Sequence, residues 1–236
     1  MIIYYRISNN SYNKKRFDYW PNLKYHCLEN FLKNVHSPSR DELVIIADKV
    51  SNETYEYLCK LGQSNQCLII RTEFGNGSAT WRYVAQMAMK VNYDDQIIYF
   101  LEDDYLHLPG SREILIEGLG FANYSSGYDH PDKYINASRG GNPYVEDLGE
   151  VTKVLVGNLS HWKITNSTTM TFATTLKSLK EDWSIWDKHT RTEHPNDFGA
   201  FLELYGKGHH VVTPIPGCST HCEFAWQTPL INWREV

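Results

Sequence analysis

The sequence predicts a three-layer α/β/α sandwich around a mostly parallel central sheet. Strand-like and helix-like runs alternate three times within about the first hundred residues, the rhythm of βαβ units. A fourth strand-like run, Ile97 to Leu101, is mostly β-branched or aromatic and too short for an isolated helix. It reads as a strand buried on both faces, as in the middle of a helix-covered parallel sheet. That run stops at three acids, Glu102, Asp103 and Asp104. In such folds ligands bind beyond the carboxyl ends of the strands. An acidic cluster there suits a divalent cation better than a core.

Taken in order, Ile2 to Ile7 is the first strand, ending in the polar loop Ser8-Asn9-Asn10. Leu23 to Val35 has helical spacing, with Leu28, Phe31, Leu32 and Val35 on one face. Leu43 to Ala47 is the second strand and ends at Asp48. Ser51 or Asn52 then caps a helix carrying Tyr55, Leu58 and Leu61, with Gly62 as its expected stop. Cys67 to Ile70 is the third strand, followed by Arg71. The turn Glu73-Phe-Gly-Asn-Gly-Ser78 leads into a helix with Trp81, Val84, Ala85 and Ala88 inward, for which Ser78 can serve as the cap. After Gly110 the rhythm breaks. A short helix is expected over Arg112 to Leu119. Residues 122–150 are rich in Gly, Asn, Ser, Tyr and Pro and have weak periodicity, and a long irregular stretch in a compact domain is usually functional or mobile. Val151 to Val156 and Thr168 to Phe172 read as strands. Leu176, Leu179, Trp183 and Trp186 form a helical stripe. Asn196 or Asp197 opens a last helix, with Phe198, Phe201, Leu202 and Tyr205 inward. Val211 to Ile215 closes the sheet and Gly217-Cys-Ser-Thr-His221 leaves it. The whole, 1–236, reads as one domain.

Composition narrows the function classes. The chain has 236 residues, 42% of them hydrophobic, which sustains a core without disulfides or metals. Net charge is −5, from 23 basic and 28 acidic residues, and no Lys/Arg-rich tract stands out. Nucleic acid is therefore not an expected partner. Aromatics reach 14%, with 7 Trp and 16 Tyr, which suits stacking on sugars or bases as well as plain packing. The 5 cysteines, Cys27, Cys59, Cys67, Cys218 and Cys222, are odd in number and irregularly spaced. No secretory segment precedes the first strand, so a reducing cytoplasm is expected. Asn-x-Ser/Thr sequences such as Asn52-Glu-Thr54 then carry no meaning. No apolar run approaches the length of a membrane span.

Several constellations carry chemistry. Glu102 and Asp104 are two apart, so on extended backbone their carboxylates point the same way. Hard oxygen ligands suit Mg²⁺ or Mn²⁺ shared with phosphate oxygens and water; the plainer reading is a solvated acidic turn. His221, within Cys218-Ser-Thr-His-Cys222, reads as a metal ligand or phosphate donor, or as an ordinary loop histidine. A zinc site with Cys218 and Cys222 lacks a second ligand pair. Asp197 stands at a helix start, where dipole and free N–H groups favour the ionised form; it is a candidate general base or an ordinary capping acid. Gly75-Asn-Gly77-Ser78 could present N–H groups to a phosphate, without the lysine of a P-loop, or be a simple turn. Asp48 could accept a bond from a base or ribose, or cap a helix. Trp162, Trp183 and Trp186 could stack on a sugar, though the last two fit a core stripe better.

These pieces, in this order, resemble the glycosyltransferases of the GT-A fold, the nucleotide-diphospho-sugar transferases. The resemblance rests on residues 1–110 and is looser over 111–190. It implies that Asp104 ligates the metal bridging the donor diphosphate, with Glu102 or Asp103 facing the ribose or the metal's water. Arg6 to Asn9 and Asp48 match positions that hold the base and ribose, and Arg71 joins the donor-side candidates. Asn76-Gly-Ser-Ala-Thr-Trp-Arg82 is similar to the stretch before the donor-site helix of inverting members, which implicates Asn76 and Arg82. Asp197 matches the late acid that serves as base, and His221 the metal-binding histidine. Two departures stand out: the acidic motif opens with Glu, and the late motif reads Asn-Asp where Glu-Asp is commoner.

The expectation is thus a metal-dependent (Mn²⁺ or Mg²⁺) glycosyltransferase, taking a nucleotide sugar as donor and a carbohydrate or glycan acceptor. Residues 1–110 would form the nucleotide-sugar half and 111–236 the acceptor and catalytic half. A sugar-phosphate nucleotidyltransferase is the alternative, disfavoured because Ser8-Asn-Asn-Ser-Tyr12 lacks a glycine-rich loop. A non-catalytic carbohydrate-binding protein on the same fold is the third reading. Convergence of Asp104, Asp197 and His221 around one cleft separates them.

Overall fold

A computed structural model describes residues 1–9 and 22–236. Asn10 of the expected ligand-side loop, with Ser11 and Tyr12, lies outside the described residues. Four strands, β1 (Ile2–Ser8), β2 (Glu42–Asp48), β3 (Leu68–Thr72) and β4 (Ile97–Glu102), run parallel in the order β3-β2-β1-β4. Helices α1 (Leu23–Asn34), α2 (Asn52–Asn65) and α3 (Gly77–Ala88) lie between them in sequence. Beyond β4 the sheet continues through β9 (Phe172–Thr175), β6 (Tyr124–Ser125), β10 (Val211–Ile215), β8 (His161–Thr165) and β7 (Val154–Val156). The strand pairings leave seven of these nine strands pointing one way, with β8 and β9 reversed. One sheet thus runs through both expected halves.

Alternation along the strands feeds two cores, because successive side chains point to opposite faces. Tyr4, Val44, Ile46, Phe100 and Phe172 meet Trp81 and Val84 of α3 on one face. The same core takes in Leu179 of α5 (Leu176–Glu181), Trp186 of α6 (Trp183–His189) and Phe201 of α7 (Asp197–Lys207). Ile3, Tyr5, Ile45, Tyr99 and Leu101 face Leu28 and Phe31 of α1, Leu58 of α2 and Leu115 of α4 (Ser111–Gly118). Two helical layers over one sheet are the expected sandwich. Each fully buried large apolar side chain stabilises it by about 1.5–3 kcal/mol. No helix among the described residues is long and apolar enough to cross a membrane.

The register positions the site. Ser8 is level with Asp48, and Asp48 with Thr72. Arg6 is the cross-strand partner of Glu102. The carboxyl ends of the four parallel strands therefore open onto a common edge. A separate two-stranded ribbon pairs β5 (Tyr105–His107) antiparallel with β11 (Ser219–His221), setting Tyr105 opposite His221.

Several local expectations shift. Gly62 does not stop α2; the helix runs on to Asn65 and ends at Gln66 in the left-handed region, with φ 55°. A Cβ on Gly62 would come within 3.0 Å of Ile69, so close packing explains that glycine. Asn76, not Ser78, caps α3, its Oδ1 accepting from Ala79 N at 2.7 Å. The strand expected at Thr168 to Phe172 begins only at Phe172, and the threonine hydroxyls before it bond Ser126, Tyr105 and Glu102. The inward face of α7 is Ala200, Phe201 and Leu204; Tyr205 is half exposed. Trp162 is fully buried in the unexpected strand β8 and donates to Glu117 at 3.0 Å, so it offers no stacking surface.

Candidate active site

A cleft of about 660 Å³ lies over the carboxyl ends of the parallel strands, lined among others by Arg6, Asp48, Asn76, Glu102, Asp103 and Asp104. The segment 193–195 just before α7 also lines it. Six of the expected site residues thus share one cavity, brought together by strand register and the α3 cap.

The three acids have three different partners. Glu102 lies 3.3 Å from the buried Arg6 guanidinium, its neighbour across β1 and β4. Burial pushes its carboxyl up; Arg6 opposes this and Asp104 adds to it. Arg6 also donates to the carbonyls of Gly77 and Met170, so it ties α3 and the 170 segment to Glu102. Asp103 accepts from Ser8 N at 2.8 Å and pairs with Lys24 of α1 at 2.9 Å. Burial raises this carboxyl too, against the pull of Lys24. Asp104 lies 3.0 Å from His221 Nε2. There burial favours the neutral acid, but the facing imidazole outweighs it and holds the carboxyl below its ordinary range. Burial likewise works against charge on His221, and Asp104 prevails and raises it.

The contact between Asp104 and His221 spans 117 positions of sequence. The β5–β11 ribbon makes it, aided by Cys222 N donating to Asp104 O at 2.8 Å. Asp104 Oδ1 is buried and takes no hydrogen bond from any described residue. A buried carboxylate oxygen without a donor is costly unless something else satisfies it. Carboxylate oxygen plus imidazole nitrogen is a donor set that suits Mn²⁺ better than the harder Mg²⁺, with phosphate and water able to complete the shell. Among the described residues no group of three or more His, Cys, Asp or Glu is gathered for a metal.

Asp197 opens α7 and lines a neighbouring pocket of about 200 Å³ with Lys133, Asn142, Ser167, Thr168 and Phe198. The helix start was expected to favour its ionised form. Burial wins instead: the carboxyl is pushed up to about 7, with the bond from Phe198 N and the Lys133 charge opposing and Glu102 adding to the rise. Asp104 and His221 therefore meet directly, while Asp197 lines a different pocket, so the three do not share one cleft.

The remaining candidates have structural partners. Asp48 accepts from Phe74 N, Gly75 N and the hydroxyls of Thr72 and Thr80 at 2.7–3.1 Å, which fixes the turn forming one cleft wall. Gly75 sits there at φ 74°, a conformation that favours glycine. Asn9, Arg71 and Arg82 do not line the cleft. Asn9 holds the α2 start through Ser51 N at 2.6 Å. Arg71 is spent on Asn52 and the Val50 carbonyl. Arg82 pairs with Asp187 at 2.7 Å in a second hollow that shares Asn76 and Glu193 with the cleft. Sequence reasoning missed Lys24 and Lys133, whose roles depend on burial beside distant acids. It also missed Thr171, whose hydroxyl accepts from Glu102 N and donates to Glu102 Oε2. The clue was a Ser/Thr-rich segment read as a strand.

The mixed sheet sandwiched by helices, with acids at the end of a central parallel strand, matches the GT-A fold of its structural neighbours. By sequence, no family model and no curated protein matches the chain. By structure it is similar to GalNAc-T7 solved with UDP, GalNAc and Mn²⁺, with TM-score 0.61 and 10% identity over 92% of this chain and 42% of that one. TarS of S. aureus gives 0.53 and 11%, over 90% of this chain and 34% of that one. The mannosyltransferase PcManGT of Pyrobaculum calidifontis, in complex with GDP-Man and Mn²⁺, gives 0.54 and 10%, over 90% and 54%. At such identities the likeness shows the fold. The chain spans between 34% and 54% of the length of these three.

Proposed function

We propose that the protein is a metal-dependent glycosyltransferase that moves a sugar from a nucleotide-diphosphate sugar to an acceptor hydroxyl, with inversion at the anomeric carbon. The observation that carries this reading is the corner just past β4, where Asp104, which lines the cleft and has one oxygen that takes no hydrogen bond from any described residue, meets His221. Two of the similar structures hold Mn²⁺ with a nucleotide or nucleotide sugar, which supports the same ligands for this chain.

Asp104 and His221 would hold the cation, which when bound neutralises charge on a diphosphate leaving group. Arg6 keeps Glu102 paired within the cleft wall, and Lys24 does the same for Asp103. The start of α3, at Asn76 and Gly77, opens onto the cleft, where free N–H groups favour phosphate. Asp197, with its carboxyl at about 7, is matched to taking a proton from an acceptor hydroxyl near neutrality. The 200 Å³ pocket beside it is the acceptor side.

The test is calorimetric binding and turnover with a panel of UDP and GDP sugars, with and without Mn²⁺. Binding of at least one nucleotide sugar, strengthened by Mn²⁺, is expected, and NMR of the product then reads the anomeric configuration. Absence of binding by every nucleotide sugar at millimolar concentration, with and without metal, removes the reading. Pyrophosphate release from a nucleoside triphosphate and a sugar phosphate would replace it with nucleotidyl transfer.

A further inference from the structure

Cys27 and Cys222 are 195 positions apart in sequence, yet their sulfurs lie 3.6 Å from each other in the interior. Both residues are fully buried in a small third core with Leu23, Leu106 and Trp233. Sulfurs at that separation are in van der Waals contact, and a disulfide needs about 2.05 Å between them. We propose that Cys27 and Cys222 are a dithiol pair that closes to a disulfide under oxidising conditions, clamping the segment that carries His221 onto α1.

The surroundings give the bond a purpose. Cys222 directly follows His221, and its N–H already holds the Asp104 carbonyl at 2.8 Å. Cys27 lies three positions after Lys24 on α1, so both occupy one face of that helix, and Lys24 grips Asp103 at 2.9 Å. The disulfide would therefore fasten both flanks of the acid cluster to the same helix face. The remaining cysteines are not so placed: Cys59 and Cys67 are only partly buried, and Cys218 lies in the turn before β11. In the reaction each thiol gives up its proton and the pair gives up two electrons. Oxidised glutathione accepts them and leaves as two glutathione thiols. The burial of both sulfurs implies that exchange happens while the chain is open, during folding or local unfolding. This inference does not depend on which reaction the cleft performs.

The experiment refolds the full chain from denaturant in a glutathione redox buffer, alkylates free thiols and maps peptides by mass spectrometry. One cross-linked peptide pair holding Cys27 and Cys222 is expected, with Cys59, Cys67 and Cys218 alkylated. Dithiothreitol should release it, and Cys27→Ala and Cys222→Ala should each lack it. The oxidised protein should melt roughly 5–15 °C above the reduced form, since the bond closes a long loop. Recovery of both cysteines alkylated in folded protein, or a bond from Cys222 to Cys218, overturns the proposal. If the alanine variants do not fold, the wild-type peptide map alone decides.

Discussion

Residues 1–110 and 111–236 reach the same cleft by different means. In the first region, four parallel strands in register bring Arg6, Ser8, Asp48 and Glu102 to a common edge, and apolar packing on both faces holds the strands. In the second, named strands are only two to five residues long, and buried polar side chains take over the alignment. Lys163, almost fully buried, holds Asp129 at 2.8 Å and Glu150 at 3.6 Å. Lys133 holds Asn166 and Ser167 at 2.6 and 2.7 Å. Where regular backbone sets position, a substitution disturbs stability more than chemistry. Where side chains set position, the same polar residues carry fold and pocket together.

Predictions can break or sharpen that contrast. The largest effect belongs to Asp197→Asn, which should lower transfer by about 10²–10⁴-fold and leave donor affinity unchanged by calorimetry. An equal loss of donor binding would remove the base role. A base must be ionised to act, and burial places this carboxyl at about 7. Transfer in the native protein should therefore fall with decreasing pH below about 7 and level off above it, and the Asn variant should lose that limb. Next, Phe31→Ala should cost about 3–5 kcal/mol by denaturant unfolding while the pH limb stays in place. A moved limb would show that the regular half tunes chemistry after all. Lys163→Met leaves Asp129 and Glu150 without their cation and should cost about 3–5 kcal/mol, with Lys163→Arg recovering part. A neutral result would mean the irregular half is not held by this network. Asp48→Ala strands several donors and should cost about 1–3 kcal/mol, with weaker donor binding as the cleft wall loosens. The smallest change is Ser51→Ala, which removes the side chain that caps α2 from 3.1 Å and should cost about 1 kcal/mol with no effect on turnover.

The two regions were also unequally legible. Strands β1, β2 and β4 lie within a residue or two of where apolar runs meet polar residues, because burial on both faces demands an unbroken apolar string. Strand β8 was missed because His161-Trp-Lys-Ile-Thr165 carries a lysine whose burial depends on Asp129 and Glu150, far away in sequence. The helix start predicts an ionised Asp197, yet burial raises its carboxyl: a helix start is a local property and burial is not. Asn9, Arg71 and Arg82 were polar residues near strand ends or a helix start that turned out to hold neighbouring elements. His221 drew notice from its place after the last strand and from family resemblance. Its contact with Asp104 follows from the β5–β11 pairing, which no short window of sequence contains.

That pairing also has a consequence for the order in which the molecule is completed. The four parallel strands and their helices lie within the first 102 residues, and β4 already ends in its acids. His221 belongs to a strand made more than a hundred residues later. Chain closure over such a span is costly in entropy and is repaid only once the contacts it brings have formed. Asp104 thus meets its imidazole only once the last part of the chain has folded back onto β5. If Asp104 and His221 hold a cation as proposed, its affinity measured during refolding should follow completion of the C-terminal segment rather than formation of the sheet.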